Sequence, residues 1–401
     1  MTTRRVLASP TRVLASPARG LPYTKRSAPD AAWSPPFTSA APGDRWLLVT
    51  SLALAGIGLL LVASATRAGS GSVFLQRHAT GLCLGLALMW IVSRCDPRGL
   101  KAYVPAVYLL ALAGLVAVLT PLGRTVNGSQ AWLALGDVLR FQPSEFAKVA
   151  MILTLATVLG SRRGNGRPGD GQVLAALALT APPVALILLE PDAGTALVFA
   201  AITVGMITLS GARLRWFAGL AAAGALAAAL IWHFGLLRPY QLLRLSVLLS
   251  PDADPLGAGY HATQSRIAVG SGEVFGTGLF QGGQTAGGFV PEQHTDFIFT
   301  VAGEELGFLG SAAIVLLVTL LLLRGLRIAA RTPSPYGTAL AGGVVCWLAF
   351  QSFVNLGMTL GLLPITGLPL PLVSYGGSAT VAVLGAVGLL DAVNRTGWDG
   401  R

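Results

Sequence analysis

The chain has 401 residues, of which 53% are hydrophobic and 11% charged, whereas an ordinary soluble domain carries roughly 25% charged residues. With a mean hydropathy of +0.67, this composition excludes soluble enzyme folds: the length divides into apolar spans of about 20 residues, each satisfying its backbone hydrogen bonds internally as helix. The 28 Lys and Arg exceed the 17 Asp and Glu by 11, a balance that in a soluble protein would suggest nucleic acid; their placement along the chain assigns them to membrane topology instead.

Residues 1–45 are rich in Ser, Pro, Ala and Arg and contain RVLASP twice, at Arg5–Pro10 and Arg12–Pro17. They read as a disordered basic cytoplasmic tail, with no apolar stretch of signal-peptide length. A membrane domain is predicted over 46–395, followed by a short C-terminal tail, 396–401. Its apolar runs number ten: 46–66, 73–93, 103–120, 143–160, 173–189, 193–210, 214–237, 297–323, 338–360 and 372–393. The predicted fold is therefore all-α and polytopic, with both termini on one side.

With a cytoplasmic N-terminus, 20 Lys and Arg fall in inner segments and 7 in outer ones, Lys148 lying within the fourth run. That asymmetry is what the positive-inside rule requires of a cytoplasmic-membrane protein. Acidic residues gather on the outer side, which marks that face for chemistry. The long outer segment 238–296, between the seventh and eighth runs, holds ten glycines between Pro255 and Val290. It is expected to be partly re-entrant and cavity-lining.

Charges inside apolar helices are costly, which singles out Glu145, Lys148, Glu304 and Glu305. Glu145 follows Pro143 and Ser144 at a helix start, and Lys148 lies three residues on, on the same face. Two compatible readings hold for this pair: a structural ion pair and a charged cavity floor. Asp296, at the outer start of the eighth run, is either a helix cap or a base; among apolar neighbours and near Glu292 its pKa should rise above about 3.9. Glu304 and Glu305 lie roughly 12 Å further along that helix, where one is expected to reach Lys148 and at least one to be protonated.

Other chemistries lack their motifs. Gly270-Ser271-Gly272 and Gly276-Thr277-Gly278 follow no strand, so no nucleotide fingerprint is present, and Ser374 is not in a GxSxG elbow. Cys83, Cys95 and Cys346, and His78, His233, His261 and His294, show neither disulfide nor metal spacing. No organic cofactor is expected.

Four segments resemble a known family. Phe141-Gln142-Pro143-Ser144-Glu145-Phe146-Ala147-Lys148, Pro191-Asp192-Ala193-Gly194-Thr195-Ala196, Pro291 to Phe299 followed by Glu304-Glu305-Leu306-Gly307, and Asn355 through Gly361 to Ala379 are similar to motifs of the SEDS proteins, the RodA, FtsW and SpoVE group. Asp254 to His261 and Gln281 to Gln284 look more like the RodA branch. Ala131, before Trp132, departs from the family's usual Arg.

The resemblance implies a ten-helix peptidoglycan glycosyltransferase that polymerises lipid II outside the membrane beside a class B penicillin-binding protein. It implies Asp296 as catalytic residue, supported by the charged pair Glu145 and Lys148. Arg266, Gln284, Glu292, His294 and Ser374 are substrate-binding candidates. Cations should gather at the departing pyrophosphate; Arg124, Arg140, Arg238, Arg244 and Arg266 are available, and a divalent cation, magnesium or manganese, is a candidate without a dedicated ligand motif. A lipid II flippase and a noncatalytic scaffold for elongation or division are the alternative readings.

Overall fold

The computed structural model describes residues 42–67, 71–126, 129–135, 139–161, 166–235, 239–250, 254 and 257–398. Most of the predicted N-terminal tail and residues 399–401 lie outside the described residues. Helices dominate: α1 (Arg45–Thr66), α2 (Gly71–Val92), the short α3 (Pro97–Leu100), α4 (Val104–Leu119), α5 (Pro143–Gly160), α6 (Asp170–Leu189), α7 (Ala193–Leu209), α8 (Leu214–His233), α9 (Pro239–Leu249), α10 (Ala258–Ser271), α11 (Gly283–Gly287), α12 (Ile298–Arg331), α13 (Pro335–Thr359) and α14 (Gly377–Trp398). Among the described residues nine helical stretches are long and apolar enough to cross a membrane. α7 makes a tenth apolar helix, of 17 residues, or about 25 Å, the short limit for a span. The ten apolar runs thus correspond to ten helices, and the chain is a multi-pass membrane protein.

The start of α1 and the end of α14 meet. The Asp44 amide donates to Asp391 Oδ1 at 2.8 Å, Arg395 Nε donates to Asp391 Oδ2 at 2.8 Å, and Arg324 pairs with Asp44 at 3.8 Å. We call this the terminal end of the bundle. Asp44 also caps α1 by accepting from the Trp46 and Leu47 amides, which satisfies two of the donors that a helix start leaves open.

Central helices are apolar all round, as buried spans must be. α13 packs against α5, α7, α12 and α14, while α2 lies along α14 and α1 along α12. Fully buried Leu155, Phe199, Leu340, Trp347 and Leu384 belong to the resulting core. In contrast, α8 has no buried residue and stands at the periphery.

At the opposite, loop end the chain departs from the all-α expectation in one small element. Strands β1 (Gly123–Val126), β2 (Ser129–Leu135) and β3 (Leu139–Phe141) form an antiparallel meander between α4 and α5, with Arg124 opposite Trp132 and Ala134 opposite Arg140. Ser129 Oγ donates to the Glu190 carbonyl at 2.7 Å, fastening the meander to the α6–α7 turn.

α12 is broken at Gly307, whose φ of 64° and ψ of −163° are non-helical. In an unbroken helix the Phe308 and Leu309 amides would bond the Glu304 and Glu305 carbonyls. Here Phe308 N donates to Glu273 O at 2.9 Å and Leu309 N to Val274 O at 3.1 Å; Glu304 O accepts from Thr277 N at 2.9 Å and Glu305 O from Gly278 N at 3.1 Å. Two helical bonds are thus replaced by four to an inserted segment. Gly276 and Gly307 make the approach possible, because a Cβ at Gly307 would collide with the Gly276 amide.

Candidate active site

Asp296 stands at the loop end, one residue before the Phe297 cap of α12. The turn that presents it begins at Glu292, whose φ of 53° is left-handed; such a conformation in a non-glycine residue costs energy that the surroundings must supply. Within this turn the Glu292 carbonyl accepts from Thr295 N at 3.1 Å and Phe297 N at 3.3 Å, and Glu292 Oε2 accepts from Thr295 Oγ1 at 3.0 Å. Asn355 Nδ2, from α13, donates to the Asp296 carbonyl at 2.8 Å and to the Leu368 carbonyl at 2.7 Å. A side chain at Gly367 would begin 3.4 Å from Asp296 Oδ2, so the 361–376 loop closes one side of the carboxyl.

The Asp296 carboxyl is pushed up to about 7, first by burial and then by the Glu292 charge, with Arg244 acting in the opposite sense and Asp192 reinforcing the rise. A carboxylate that gives up its proton near neutrality is a stronger base than a solvated one. Raised affinity for a proton, rather than capping, is the property that environment confers. Nearby, burial pushes Glu190 up to about 8, with Asp192 adding to it, and its Oε1 has no hydrogen-bond partner among the described residues.

Beneath this surface lies the second polar cluster. Lys148 Nζ meets Glu145 Oε1 at 2.7 Å, both buried, and also donates to Gln351 Oε1 at 3.1 Å while lying 5.0 Å from the Trp347 ring centroid. Trp347 Nε1 donates to the same Gln351 oxygen at 2.7 Å, and Gln351 Nε2 donates to the Pro369 carbonyl at 2.8 Å. Trp347, Gln351, Asn355 and Thr359 follow one another at four-residue spacing, and so form one ridge of α13. Thr359 O accepts from Ser265 Oγ of α10 at 2.6 Å. One helix ridge thereby joins the ion pair, the 368–369 backbone, the Asp296 turn and α10.

Glu304 and Glu305 correct the expectation that one reaches Lys148. Glu304 accepts from Gln284 N at 2.7 Å, Thr285 N at 2.8 Å and Thr285 Oγ1 at 2.7 Å. Glu305 accepts from Ser64 Oγ at 2.5 Å and Phe280 N at 3.1 Å. The break at Gly307 brings the 273–285 segment against both carboxylates, so they organise that segment.

The remaining candidates divide. Ser374 Oγ accepts from Leu370 N at 2.8 Å and closes a turn. The His294 ring packs 4.8 Å from Phe74 and 5.4 Å from Tyr375, while its carbonyl accepts from Tyr375 N at 2.9 Å; burial holds its pKa below the usual histidine range, with Glu292 opposing. Gln284 is anchored by its amide to Glu304, and its side-chain oxygen has no partner among the described residues. Arg266 lies over Gly361, where a side chain would begin 2.6 Å from its Nε, at the C-terminus of α13, a position that favours a cation. Arg244, on α9, is the arginine whose charge acts on Asp296; Arg238 lies outside the described residues. Among the described residues no three His, Cys, Asp or Glu side chains are grouped to hold a metal ion.

Fold and site together define a polytopic helical membrane protein with a carboxyl of raised proton affinity at one end of the bundle, seated above a buried ion pair. The model of the FtsW/RodA/SpoVE family, described as cell cycle protein, matches residues 45–397, and the chain belongs to that family. It is 38% identical over 351 residues to the peptidoglycan glycosyltransferase MrdB of Escherichia coli strain K12, covering 88% of this chain and 93% of the relative. It is 41% identical over 358 residues to the probable peptidoglycan glycosyltransferase FtsW of Nitrosococcus halophilus, covering 86% and 91%. A solved chain from work on polymerization and crosslinking by a peptidoglycan synthase complex superposes with a TM-score of 0.76 at 33% identity, covering 89% of this chain and 98% of that one.

Proposed function

We propose that this chain is a peptidoglycan glycosyltransferase that polymerises lipid II, with Asp296 as general base. The observation that carries the assignment of the base is the Asp296 carboxyl, pushed up to about 7 and held in a turn that α13 and the 361–376 loop fix in place. Asp296 takes the proton of the acceptor hydroxyl; the oxygen attacks the anomeric carbon of the donor, and the bond to pyrophosphate breaks with its electron pair leaving on the phosphate oxygen. Arg244 and Arg266 are the cations proposed to face that growing charge, since guanidinium groups grip phosphate bidentately. Glu145 and Lys148 support the floor through Gln351.

The protein is read as lying in the cytoplasmic membrane with its terminal end inside. Arg94, Arg98, Lys101, Arg213, Arg215, Arg324, Arg327, Arg331 and Arg395 flank the helix ends at that end, as the positive-inside rule requires. Lipid II is then met at the outer face, with a class B penicillin-binding protein alongside to crosslink the strands.

The test is polymerisation of labelled lipid II by the purified protein with a cognate class B penicillin-binding protein, comparing wild type with Asp296→Asn at equal folding and complex formation. Polymer from wild type alone supports the reading. Absence of polymer from both, with lipid II still crossing vesicle membranes, makes transport the better account.

A further inference from the structure

The segment that enters the break of α12 runs Glu273-Val274-Phe275-Gly276-Thr277-Gly278-Leu279-Phe280 and carries no charge after Glu273. Its backbone is fastened to protein at several points. The Glu273 and Val274 carbonyls accept from Phe308 and Leu309, the Thr277 and Gly278 amides donate to the carbonyls of Glu304 and Glu305, and Gly276 N donates to Gly272 O at 2.7 Å. Phe280 N donates to Glu305 Oε2, and Arg67 donates to the Phe280 carbonyl. Apolar side chains turn outward, Val274 being 50% exposed, Phe275 82%, Phe308 67% and Leu309 52%, with Glu273 and Thr277 exposed beside them. Water rewards the reverse arrangement, with polar backbone out and phenyl rings in. Hydrocarbon favours this one, because irregular backbone is tolerated at membrane depth where protein holds it.

Two helices place the segment at that depth. Arg324, paired with Asp44 at the terminal end, marks one boundary of the apolar slab. Gly307 lies seventeen residues along α12 from it, about 25 Å, within a hydrocarbon core about 30 Å thick. On α1, Ser64 lies twenty residues beyond Asp44, about 30 Å, and it bonds Glu305 beside the break at 2.5 Å. The exposed Glu273 limits insertion to the boundary between acyl chains and headgroups.

We propose that residues 273–280 form a re-entrant wedge in the leaflet at the loop end, with Val274 and Phe275 among acyl chains beside Phe308 and Leu309. The occupant of this apolar patch is lipid, and the wedge is a membrane contact additional to the ten spans. It does not depend on which reaction the protein catalyses.

The test uses the full chain with Cys83, Cys95 and Cys346 replaced by Ala, carrying Phe275→Cys with a nitroxide label, in vesicles of phosphatidylethanolamine and phosphatidylglycerol. Collision with oxygen and with a water-soluble nickel chelate is read against the exposed loop reference Arg167→Cys. The expected result is oxygen access exceeding chelate access at position 275 and the reverse at 167. Val274→Cys supplies the same reading where Phe275→Cys does not assemble. Chelate access at an assembled 274 or 275 label equal to that at 167 overturns the proposal.

Discussion

The side-chain amide of Asn355 donates to the backbone carbonyl of Asp296 at 2.8 Å and, from the same nitrogen, to that of Leu368 at 2.7 Å. A buried residue of α13 thus ties the turn bearing the proposed base to the loop that walls it. Replacing Asn355 by Ala leaves two carbonyls without this donor, at a cost of about 1–3 kcal/mol for each buried group left unsatisfied. The expected outcome for Asn355→Ala is a lower thermal midpoint and a fall in kcat larger than the change in KM, because the base is displaced while the lipid-binding surface is kept. An unchanged kcat in the folded variant removes the tie from the mechanism.

The buried pair Glu145 and Lys148 gives a second prediction. Removing one partner of a buried ion pair costs about 3–5 kcal/mol, whereas replacing both by uncharged groups of similar size is far milder. Glu145→Gln and Lys148→Met should each lower stability severely, and the double variant should recover much of it. Polymerisation separates the roles: a stable double variant with wild-type turnover makes the pair structural, and a stable, inactive one makes it part of the cavity chemistry.

How far these features were legible in the sequence depends on the range of the interaction. The ten spans follow from apolar runs, because each helix satisfies its own backbone. The Glu145 and Lys148 contact is local, three residues on one helix, and could be read from spacing. Spacing also displays Gln351 and Asn355 as a polar ridge on α13, but their partners, Pro369 and Leu368, belong to a loop whose return path no periodicity encodes. Glu304 and Glu305 were misassigned for the same reason. Helical direction alone aimed one at Lys148, while the break at Gly307 and the inserted segment bring amides to both. The action of the Arg244 charge on Asp296 is likewise a tertiary result, since it depends on where α9 lies relative to the Asp296 turn. The meander over 123–141 was missed because its strands are short and sit between two apolar runs.

The break itself is testable. Gly307 has a φ of 64° and no room for a Cβ against Gly276, so Gly307→Ala combines left-handed strain with a collision. Strain of this kind costs on the order of 1–3 kcal/mol before any collision is counted. Gly307→Ala should therefore lower the thermal midpoint and weaken amide-exchange protection of Thr277, Gly278, Phe308 and Leu309 together, the four donors in the break. Loss at Phe308 and Leu309 with protection retained at Thr277 and Gly278 would show that the inserted segment does not depend on the broken helix.

Glu190 carries a stability prediction with a definite sign. Burial pushes its carboxyl up to about 8, above the roughly 4.3 of an unfolded glutamate. Between those values the folded protein holds a proton that the unfolded chain has released, so stability falls as pH rises through that window. Glu190→Gln removes the titration and keeps the shape. The variant's thermal midpoint should gain on wild type as pH is raised from 5 to 8; a constant difference across that range shows that Glu190 ionises alike in both states.

The pH dependence of turnover tests the proposed base most directly. With the Asp296 carboxyl at about 7, polymerisation should rise with pH below neutrality and level off above it, because only the carboxylate accepts the acceptor's proton. The charge of Glu292 contributes to that rise and the charge of Arg244 opposes it. Glu292→Gln should therefore move the acid limb of the profile to lower pH, and Arg244→Gln should move it to higher pH, through loss of a like and an opposite charge respectively. Initial rates at saturating lipid II, taken at fixed ionic strength, read the two shifts. Displacement of both limbs in the same direction, or an acid limb that survives in Asp296→Asn, assigns the titration to another group.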